Sequence, residues 1–516
     1  MNIFGLNVAL QPMSSPLPIW HASVTADDWQ TTAFVVREAG GRLLAVWGGS
    51  HAAVATVFAA YVTLEGLVWL ELPLEGGHSS YPDLVPFFPA AARMQRAAAE
   101  LSGIHAEGAK DQRPWLNHGA WPVDYFPLRE GTDELQAFPD ADLLDYPFVR
   151  VEGDGVHEIA VGPVHAGVIE PGHFRFSVVG EKVLRLEQRL GYTHKGIEQR
   201  MTQFDPLQAY RLAGRVSGDS TVAYAWGYCM ALESAADCTT SPRASCLRAL
   251  MLERERVANH LGDLGSLAND AAFSFGLAQF SRLREDWLRV SKEAFGHRLM
   301  MDCVVPGGVI ADIDPAQIDQ LCRQADAVES EVRTLRAVYE EHAGLQDRFI
   351  STGRVSPALA AQLGLTGLAG RASAQAWDLR CNHPVPPYDT LQVKMATHRN
   401  GDVAARVIVR FDEVFESLRL MREILADLPA GDLRQAVFLP DHATRGAGWI
   451  EGWRGEIFVA LELDWVDGQQ RIQRCYLHDP SWQNWPVLEH AMIGNIVPDF
   501  PLINKSFNLS YSGQDL

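Results

Sequence analysis

Two serines just ahead of an apolar stretch have the spacing of a metal-binding corner. Ser217 and Ser220 stand three residues apart in R-V-S-G-D-S (215–220), and the apolar run from Thr221 to Leu232 follows directly. Cysteines at this spacing hold a soft transition metal through two thiolates, whereas neutral hydroxyls are poor ligands for such a metal. The segment is therefore either an ordinary helix start, with the serines as cap and first-turn residues, or a metal site that has lost its ligands.

Two histidine-containing segments suit proton chemistry. His165 and His173 bracket A-G-V-I-E-P-G, and in a hairpin both can face one cavity, where a histidine donates a proton to a reduced oxygen. His194 and Glu198 are four residues apart in T-H-K-G-I-E, so they share a helix face. The alternatives are a loop histidine bonded to backbone and a solvated helix start.

An arginine with two candidate carboxylate partners forms a third set. Arg380 lies in W-D-L-R-C-N-H-P, and a buried arginine needs a carboxylate, for which Asp378 and Asp219 are candidates. Asp219 with the flanking serines would make a polar, water-filled cavity. The alternative for Asp219 is a surface acid that caps a helix start.

Composition limits the classes of function. The chain has 516 residues, which predicts two or three domains, and its net charge of −20 argues against nucleic-acid binding. The longest apolar run, about Ala52–Leu64, is shorter than the ~20 residues of a membrane span, so any membrane association goes through partner subunits. The first sixteen residues lack the features of a secretory signal. Seven cysteines without a C-x-x-C pair indicate free thiols in a reducing cytoplasm and no iron–sulfur cluster on this chain.

The pattern along the chain predicts an α+β protein. Residues 1–125 read as a small α/β domain with strands at T-A-F-V-V-R-E (32–38) and G-R-L-L-A-V-W-G-G (41–49) and a helix from about Ala90 to Gly103. Residues 126–151 are the predicted linker. Residues 152–516 begin with strands and a hairpin turn at Gly180 and continue as a helical bundle, with long helices at 248–264, 318–342 and 404–428.

Several motifs in one order resemble a known family. They are G-P-V-H-A-G-V-I-E-P-G-H (162–173), G-Y-T-H-K-G-I-E (191–198), G-R-V-S-G-D-S (214–220), W-D-L-R-C-N-H-P (377–384), E-G-W-R-G-E (451–456) and D-P-S-W-Q-N-W-P (479–486). This order resembles the large subunit of membrane-bound, energy-converting NiFe hydrogenases of the formate hydrogenlyase type and the 49-kDa-type subunit of complex I. The motif Y-P-D-L-V-P-F-F-P-A-A (81–91) together with D-Q-R-P-W-L (111–116) looks like the 30-kDa-type subunit of complex I, which formate hydrogenlyase large subunits carry fused at the N-terminus.

The resemblance implies a lost NiFe centre. In the hydrogenases, cysteines at the positions of Ser217 and Ser220 bind the metal, and a second pair corresponds to Ser510 and Gly513 in N-L-S-Y-S-G. All four thiolates are absent, so we expect no metal here, and these four residues line an empty cavity. The sequence ends three residues beyond Gly513, so no tail of the kind that is cleaved from metal-bearing relatives is expected.

The resemblance also implies candidate catalytic residues. His165 corresponds to the quinone-binding histidine of the complex I hairpin, while the quinone-binding tyrosine falls at Gly218, with Tyr224 as a substitute. Glu198 corresponds to a glutamate that leads protons away from the hydrogenase metal, and Arg380 to an arginine that overhangs it. We expect His165, Asp219 and Arg380 to converge on the old metal pocket, with Asp219 as the partner of Arg380.

The implied function is that of a peripheral subunit on the cytoplasmic face of the cell membrane. It couples redox chemistry, with quinone as a candidate ligand, to ion or proton transport without a NiFe centre, as an oxidoreductase-type subunit without hydrogenase activity. No cofactor is bound directly by this chain in that interpretation. The implied partners are a small iron–sulfur-type subunit and antiporter-like membrane subunits. The alternative is a catalytically inactive scaffold that holds partner subunits together.

Overall fold

Two strand-rich regions enclose a long helical region in the computed structural model, which describes residues 8–51, 54–74, 79–129, 131–132, 138, 146–164 and 169–516. The strands are β1 (Gln11–Pro12), β2 (Ile19–Ser23), β3 (Arg42–His51), β4 (Val54–Val62), β5 (Leu67–Pro73), β6 (Ser80–Pro82), β7 (His105–Glu107), β8 (Val156–Val161), β9 (His173–Val179), β10 (Lys182–Arg189), β11 (Val304–Val305), β12 (Gly308–Val309), β13 (Thr444–Glu451), β14 (Glu456–Val466) and β15 (Gln469–His478).

Most of the helices lie between the two strand-rich regions. They are α1 (Ala26–Glu38), α2 (Ala91–Ser102), α3 (Ile197–Met201), α4 (Tyr210–Ala213), α5 (Thr221–Ala235), α6 (Pro242–Asp270), α7 (Ser274–Phe295), α8 (Pro315–Glu341), α9 (Ala343–Phe349), α10 (Pro357–Leu363), α11 (Gly367–Arg371), α12 (Leu379–Asn382), α13 (Tyr388–Leu391), α14 (Val403–Ala426), α15 (Ser481–Ala491), α16 (Phe500–Phe507) and α17 (Tyr511–Asp515). The α+β class and the long helices α6, α8 and α14 are as the sequence predicts.

The N-terminal sheet has the strand order β1-β2-β5-β4-β3. β2 and β5 run parallel, and the other neighbouring strands run antiparallel. α2 packs on β3, and it ends at Gly103, whose φ of 70° gives the left-handed helix end that glycine adopts without strain. The strand at β3 and the helix ending at Gly103 confirm two of the predictions for residues 1–125.

The predicted strand T-A-F-V-V-R-E is wrong, because this segment is the second half of α1. Thr25 caps the helix by accepting a hydrogen bond from the backbone N–H of Asp28. Trp29, Ala33 and Val36 are buried at spacings of three and four residues, which is the period of a helix face on a core. The cap and this period therefore override the β preference of Val35 and Val36.

Two further antiparallel sheets flank the helical region. β8, β9 and β10 form one, with the hairpin turn at Gly180, as predicted. β13, β14 and β15 form the other, and α5 lies against it. Glycine is required where β13 meets α5, since a Cβ at Gly448 would lie 2.9 Å from the carbonyl carbon of Gly227. This close approach holds the middle of α5 against β13.

The N-terminal and C-terminal sheets pack directly on each other. The rings of Trp47 and Tyr476 stack with centroids 4.5 Å apart and planes 4° from parallel. Arg42 at the start of β3 forms an ion pair with Glu456 at the start of β14. The predicted domain boundaries at 125 and 152 stay predictions, but the two regions share this interface.

Candidate functional site

The corner at residues 215–220 is a short 3-10 turn, Gly218–Ser220, that leads directly into α5. The side chains of Ser217 and Ser220 do not cap these helices. Glu255 of α6 accepts the first N–H groups of α5 instead, from Val222 at 2.7 Å and from Ala223 at 3.2 Å. Burial raises the pKa of Glu255 to about 8. Ser217 and Ser220 hold the N-cap positions of the 3-10 turn and of α5, as the helix-cap interpretation has it, but neither side chain makes the capping hydrogen bond.

Both serines donate to the carboxylate between them. Ser217 Oγ lies 2.7 Å and Ser220 Oγ 3.2 Å from Oδ1 of Asp219. The indole N–H of Trp453 donates to the backbone oxygen of Asp219 and to Ser220 Oγ, both at 3.0 Å. The hydroxyls of Ser217 and Ser220 thus hydrogen-bond to protein partners.

Ser510 and Gly513, the second pair that the resemblance equates with metal ligands, lie at the same place. Ser510 Oγ donates to Ser217 Oγ at 3.2 Å and accepts from the backbone N–H of Gly513 at 2.8 Å, which caps α17. The segments around residues 217 and 510 are far apart in sequence, yet their hydroxyls touch. Ser217, Ser220, Ser510 and Gly513 therefore lie together in this structure, and the empty cavity that they are expected to line stays a prediction.

Arg454, in the turn between β13 and β14, closes the site. Its Nη1 lies 2.8 Å from Oδ1 of Asp219 and its Nη2 2.6 Å from Oδ2, and its Nε donates to the backbone oxygen of Asn508 at 2.6 Å. Burial alone would raise the pKa of Asp219, but the guanidinium and the two serine hydroxyls lower it to about 2. One arginine therefore links the corner at 217–220 to the C-terminal segment.

A second carboxylate lines the same place. Asp479 follows β15, and its Oδ2 accepts the hydroxyl of Tyr224 at 2.6 Å while its Oδ1 accepts the N–H of Ser481 at 2.8 Å. A Cβ at Gly513 would lie 2.7 Å from Cγ of Asp479, so the glycine leaves room for this carboxylate. Tyr224 is fully buried and burial raises its pKa well above the ordinary tyrosine value. Tyr224, which the sequence suggests as a quinone ligand, donates its hydroxyl hydrogen to Asp479 in this structure. Its role toward quinone stays a prediction.

Arg380 is not the partner of Asp219, which corrects the sequence-based expectation. Its guanidinium binds Asp378 through Nε at 3.0 Å and Nη2 at 2.7 Å, and Nη1 lies 3.0 Å from both oxygens of Glu253. Asp378 was the other candidate. Asp378 and Glu253 together satisfy the buried guanidinium of Arg380. Asp219 pairs with Arg454 instead.

Glu198 lies on α3, buried beneath the interface of the two sheets. Its Oε1 is 3.0 Å from Nη1 of Arg474 on β15. A cleft of about 320 Å³ reaches this ion pair from the surface and is lined also by Arg129, Arg471 and Asp464. Its predicted role in proton transfer stays a prediction.

Of the two histidines in the predicted hairpin, His165 and His173, only His173 is among the described residues. His165 lies outside the described residues, so its predicted approach to the old metal pocket stays a prediction. His173, at the start of β9, contacts the backbone oxygen of Gly162 through Nδ1 at 3.2 Å, and Arg175 Nε donates to its Nε2 at 3.4 Å. This geometry favours the loop histidine bonded to backbone.

The donor set does not fit a nickel–iron centre. Three neutral hydroxyls and a glycine stand at the four ligand positions, and the guanidinium of Arg454 brings a positive charge into their midst. A soft metal prefers thiolates, and a cation is repelled by a guanidinium. Across the residues that the structure describes, no three histidine, cysteine, aspartate or glutamate side chains are grouped so as to hold a metal.

Sequence reasoning missed the residue that organises the site. Arg454 stands in E-G-W-R-G-E, a motif that counted only toward the family resemblance. A lone arginine between glycine and tryptophan gives no local signal of its partner, since the partner lies far away in sequence. Asp479 was missed for the same reason.

Two family models match separate parts of the chain. The 49-kDa subunit of respiratory-chain NADH dehydrogenase matches residues 270–445, and the 30-kDa subunit matches residues 22–135. A solved structure, the archaeal membrane-bound sulfane sulfur reductase, superposes with a TM-score of 0.65 at 22% identity over 70% of this chain and 99% of that chain. This likeness shows a shared fold. In the described part of the chain, every helix is too short or too polar to cross a membrane.

Curated relatives extend the match to nearly the whole chain. Formate hydrogenlyase subunit 5 of Escherichia coli is 28% identical over 94% of this chain and 87% of its own length. The carbon monoxide-induced hydrogenase of Rhodospirillum rubrum is 32% identical over 68% of this chain and 97% of its own length. An NADH-quinone oxidoreductase subunit from Bacteroides thetaiotaomicron is 28% identical over 64% of this chain and 63% of its own length. The chain therefore belongs to the family of large subunits that membrane-bound hydrogenases share with NADH-quinone oxidoreductase, with its 30-kDa-type and 49-kDa-type parts fused in one polypeptide.

Proposed function

We propose that this chain is a peripheral subunit of a membrane-bound respiratory-type complex that couples redox chemistry, with quinone as a candidate acceptor, to ion or proton transport without a nickel–iron centre. The relatives are named as subunits of hydrogenase and NADH-quinone oxidoreductase complexes. One observation carries the proposal: the four former ligand positions meet around the Asp219–Arg454 ion pair.

In this proposal the ion pair replaces the structural part of the metal centre. A metal held by two pairs of thiolates ties two distant chain segments together. Arg454 does the same with hydrogen bonds, because it binds Asp219 of the corner and the backbone of Asn508 in the C-terminal segment. Arg454 is almost fully buried, so these bonds form in a low-dielectric surrounding that strengthens them.

The proposed partners are a small iron–sulfur-type subunit and antiporter-like membrane subunits, on the cytoplasmic face of the membrane. Electrons then reach the quinone from the small subunit, since this chain offers no thiolates at the former metal site. The sheet β8–β10 supports docking of a partner, because it leaves Val179 and Leu184 exposed by 42% and 39%.

The test uses the complex isolated from its own cells through an affinity tag on this chain. We expect the small subunit and membrane subunits to co-purify and quinone reduction to proceed without hydrogen uptake. The variant Asp219→Asn in the assembled complex should then lower the rate of acceptor reduction, while Asp302→Asn, at a surface ion pair with Arg215, should not. An unchanged rate with Asp219→Asn and full assembly would instead show a scaffold.

A further inference from the structure

A cluster of buried ionisable side chains, which we call the inner charge cluster, joins α6, α11, α12 and α14 to the facing ends of β13 and β14. Apart from Arg42, which is 19% exposed at its side chain, its members are at most 4% exposed. Its carboxylates are Glu253, Asp378, Glu413, Glu451 and Glu456, and its guanidiniums are Arg42, Arg256, Arg371 and Arg380.

Most carboxylates of the inner charge cluster have strong partners. Glu253 accepts from Arg380, from Tyr388 at 2.7 Å and from Ser417 at 2.6 Å. Glu413 accepts from Arg371 at 2.7 Å and contacts His260 Nε2 at 2.8 Å. Such charge-assisted bonds keep a buried carboxylate ionised.

The remaining pairs follow the same rule at the two ends of the cluster. Asp378 binds Arg380 through both of its oxygens. Glu456 pairs with Arg42 and also accepts from Trp377 at 2.9 Å. Four of the five carboxylates are thus held as anions by dedicated donors.

Glu451 is the carboxylate with the weakest support. Its Oε1 shares Nη1 of Arg371, at 2.8 Å, with Asp378 at 3.7 Å. Among the residues that the structure describes, its Oε2 accepts only the backbone N–H of Leu379, at 3.1 Å. Glu456 stands directly opposite on β14 and adds a like charge. Burial, followed by the repulsion from Asp378, raises the pKa of Glu451 to about 7.

The other groups that face Glu451 do not supply the missing charge. Arg256 donates to the backbone oxygen of Glu451 at 2.8 Å, and its side-chain contacts go to Glu253 and Glu413. The thiol of Cys381 stays neutral, because burial raises its pKa to about 12. Five carboxylates therefore face four guanidiniums, and an isolated buried charge is strongly disfavoured.

His260 is the other group that could carry a positive charge into the inner charge cluster. Its Nδ1 is buried and has no hydrogen-bond partner among the described residues. An imidazolium has two N–H donors, so protonation would leave one of them unsatisfied in the core. Burial lowers the pKa of His260 accordingly, and the extra proton belongs on a carboxylate.

We propose that the inner charge cluster binds one exchangeable proton, carried by Glu451, which makes it a proton-binding site inside the subunit. The site follows from the count of buried charges and from the hydrogen bonds around Glu451. It goes beyond the proposed function and does not depend on it, because a subunit that serves only as a scaffold would hold the same proton.

The test is infrared spectroscopy of the full chain below the pKa of about 7, in H₂O and in D₂O. A protonated carboxyl gives a carbonyl band that shifts on deuteration, and we expect one such band to vanish in Glu451→Gln. It should also vanish in Glu456→Gln, since removing any one carboxylate from the cluster balances its charges and lets Glu451 ionise. Asp515→Asn, at a buried carboxyl whose pKa burial raises to about 6, should remove a different band and leave the Glu451 band intact.

Two results would overturn the proposal. One is a wild-type spectrum that matches that of Glu451→Gln, which would show that Glu451 carries no proton. The other is a band that persists in Glu456→Gln and does not titrate near neutral pH, which would show that the charge count does not control it. Glu456→Gln gives a second route to the answer when Glu451→Gln fails to fold.

Discussion

Arg454 donates two parallel hydrogen bonds to Asp219, from Nη1 to Oδ1 at 2.8 Å and from Nη2 to Oδ2 at 2.6 Å. This bidentate pair lies among the four residues that the family resemblance equates with metal ligands, Ser217, Ser220, Ser510 and Gly513. Ser217 and Ser220 donate to the same carboxylate, and Ser510 reaches Ser217. The place therefore holds an internal ion pair with a shell of hydroxyls, and the water-filled cavity that the sequence predicts stays a prediction.

Asp219→Asn should destabilise the subunit. It leaves the guanidinium of Arg454 without its counter-charge, but the Asp219 side chain is 35% exposed, so we expect a loss of only about 1–3 kcal/mol in the free energy of unfolding. Urea denaturation of the purified chain measures it. Asp302→Asn breaks the equally bidentate but more exposed pair with Arg215 and should cost less than about 1 kcal/mol. Equal losses in both variants would contradict the buried role of the Arg454 pair.

Gly513→Ala tests the close contact with Asp479. The new Cβ would lie 2.7 Å from Cγ of Asp479 and 2.8 Å from Oγ of Ser510, so neighbouring groups must move. We expect a loss of about 1–3 kcal/mol, the usual cost of overpacking. Gly218→Ala, at the same site, meets open space and serves as the matched control. A thermal melt that places both variants at the wild-type midpoint would refute the contact.

The pH dependence of stability should reveal Glu451. Its pKa is raised from about 4.3 in an unfolded chain to about 7 in the folded state, so the folded state holds a proton that the unfolded state releases. The stability that this proton contributes is complete below about pH 4 and is lost as the pH rises to about 7. Glu451→Gln, which resembles the protonated acid, should remove a few kcal/mol of this pH dependence. Parallel stability curves for wild type and variant between these pH values would argue against it.

Placing cysteines at the four positions that the resemblance equates with metal ligands should not create a nickel site. In the variant with cysteine at positions 217, 220, 510 and 513, the Cβ at 513 still meets Asp479, and Arg454 still carries its charge into the site. We expect this variant to bind no stoichiometric nickel when produced with the hydrogenase maturation machinery. Adding Arg454→Ala is the informative companion, because a gain of nickel only then would identify the guanidinium as the obstacle.

The positions of the long helices could be predicted from the sequence, whereas the pairing of the buried charged residues could not. α6, α8 and α14 have apolar residues at helical period over many turns, so their positions follow from local pattern. The predicted strand at Val35 and Val36 is wrong, because the helix cap and the helical spacing of the buried residues outweigh the local β preference of these two valines. Arg380 and Arg454 both lie in recognisable motifs, and only the tertiary packing decides which one meets Asp219. The meeting of Ser217 with Ser510 was foreseen through the family resemblance, which carries three-dimensional information that periodicity lacks.

The metal content of the purified complex tests the central claim most directly. The complex is isolated from cells grown with ample nickel, and its nickel is measured per copy of this chain by elemental mass spectrometry, with a thiolate-bearing hydrogenase from the same protocol as positive control. Ser217, Ser220, Ser510 and Gly513 around the Asp219–Arg454 pair predict nickel far below one atom per chain. About one nickel atom per chain, together with hydrogen uptake, would contradict the account.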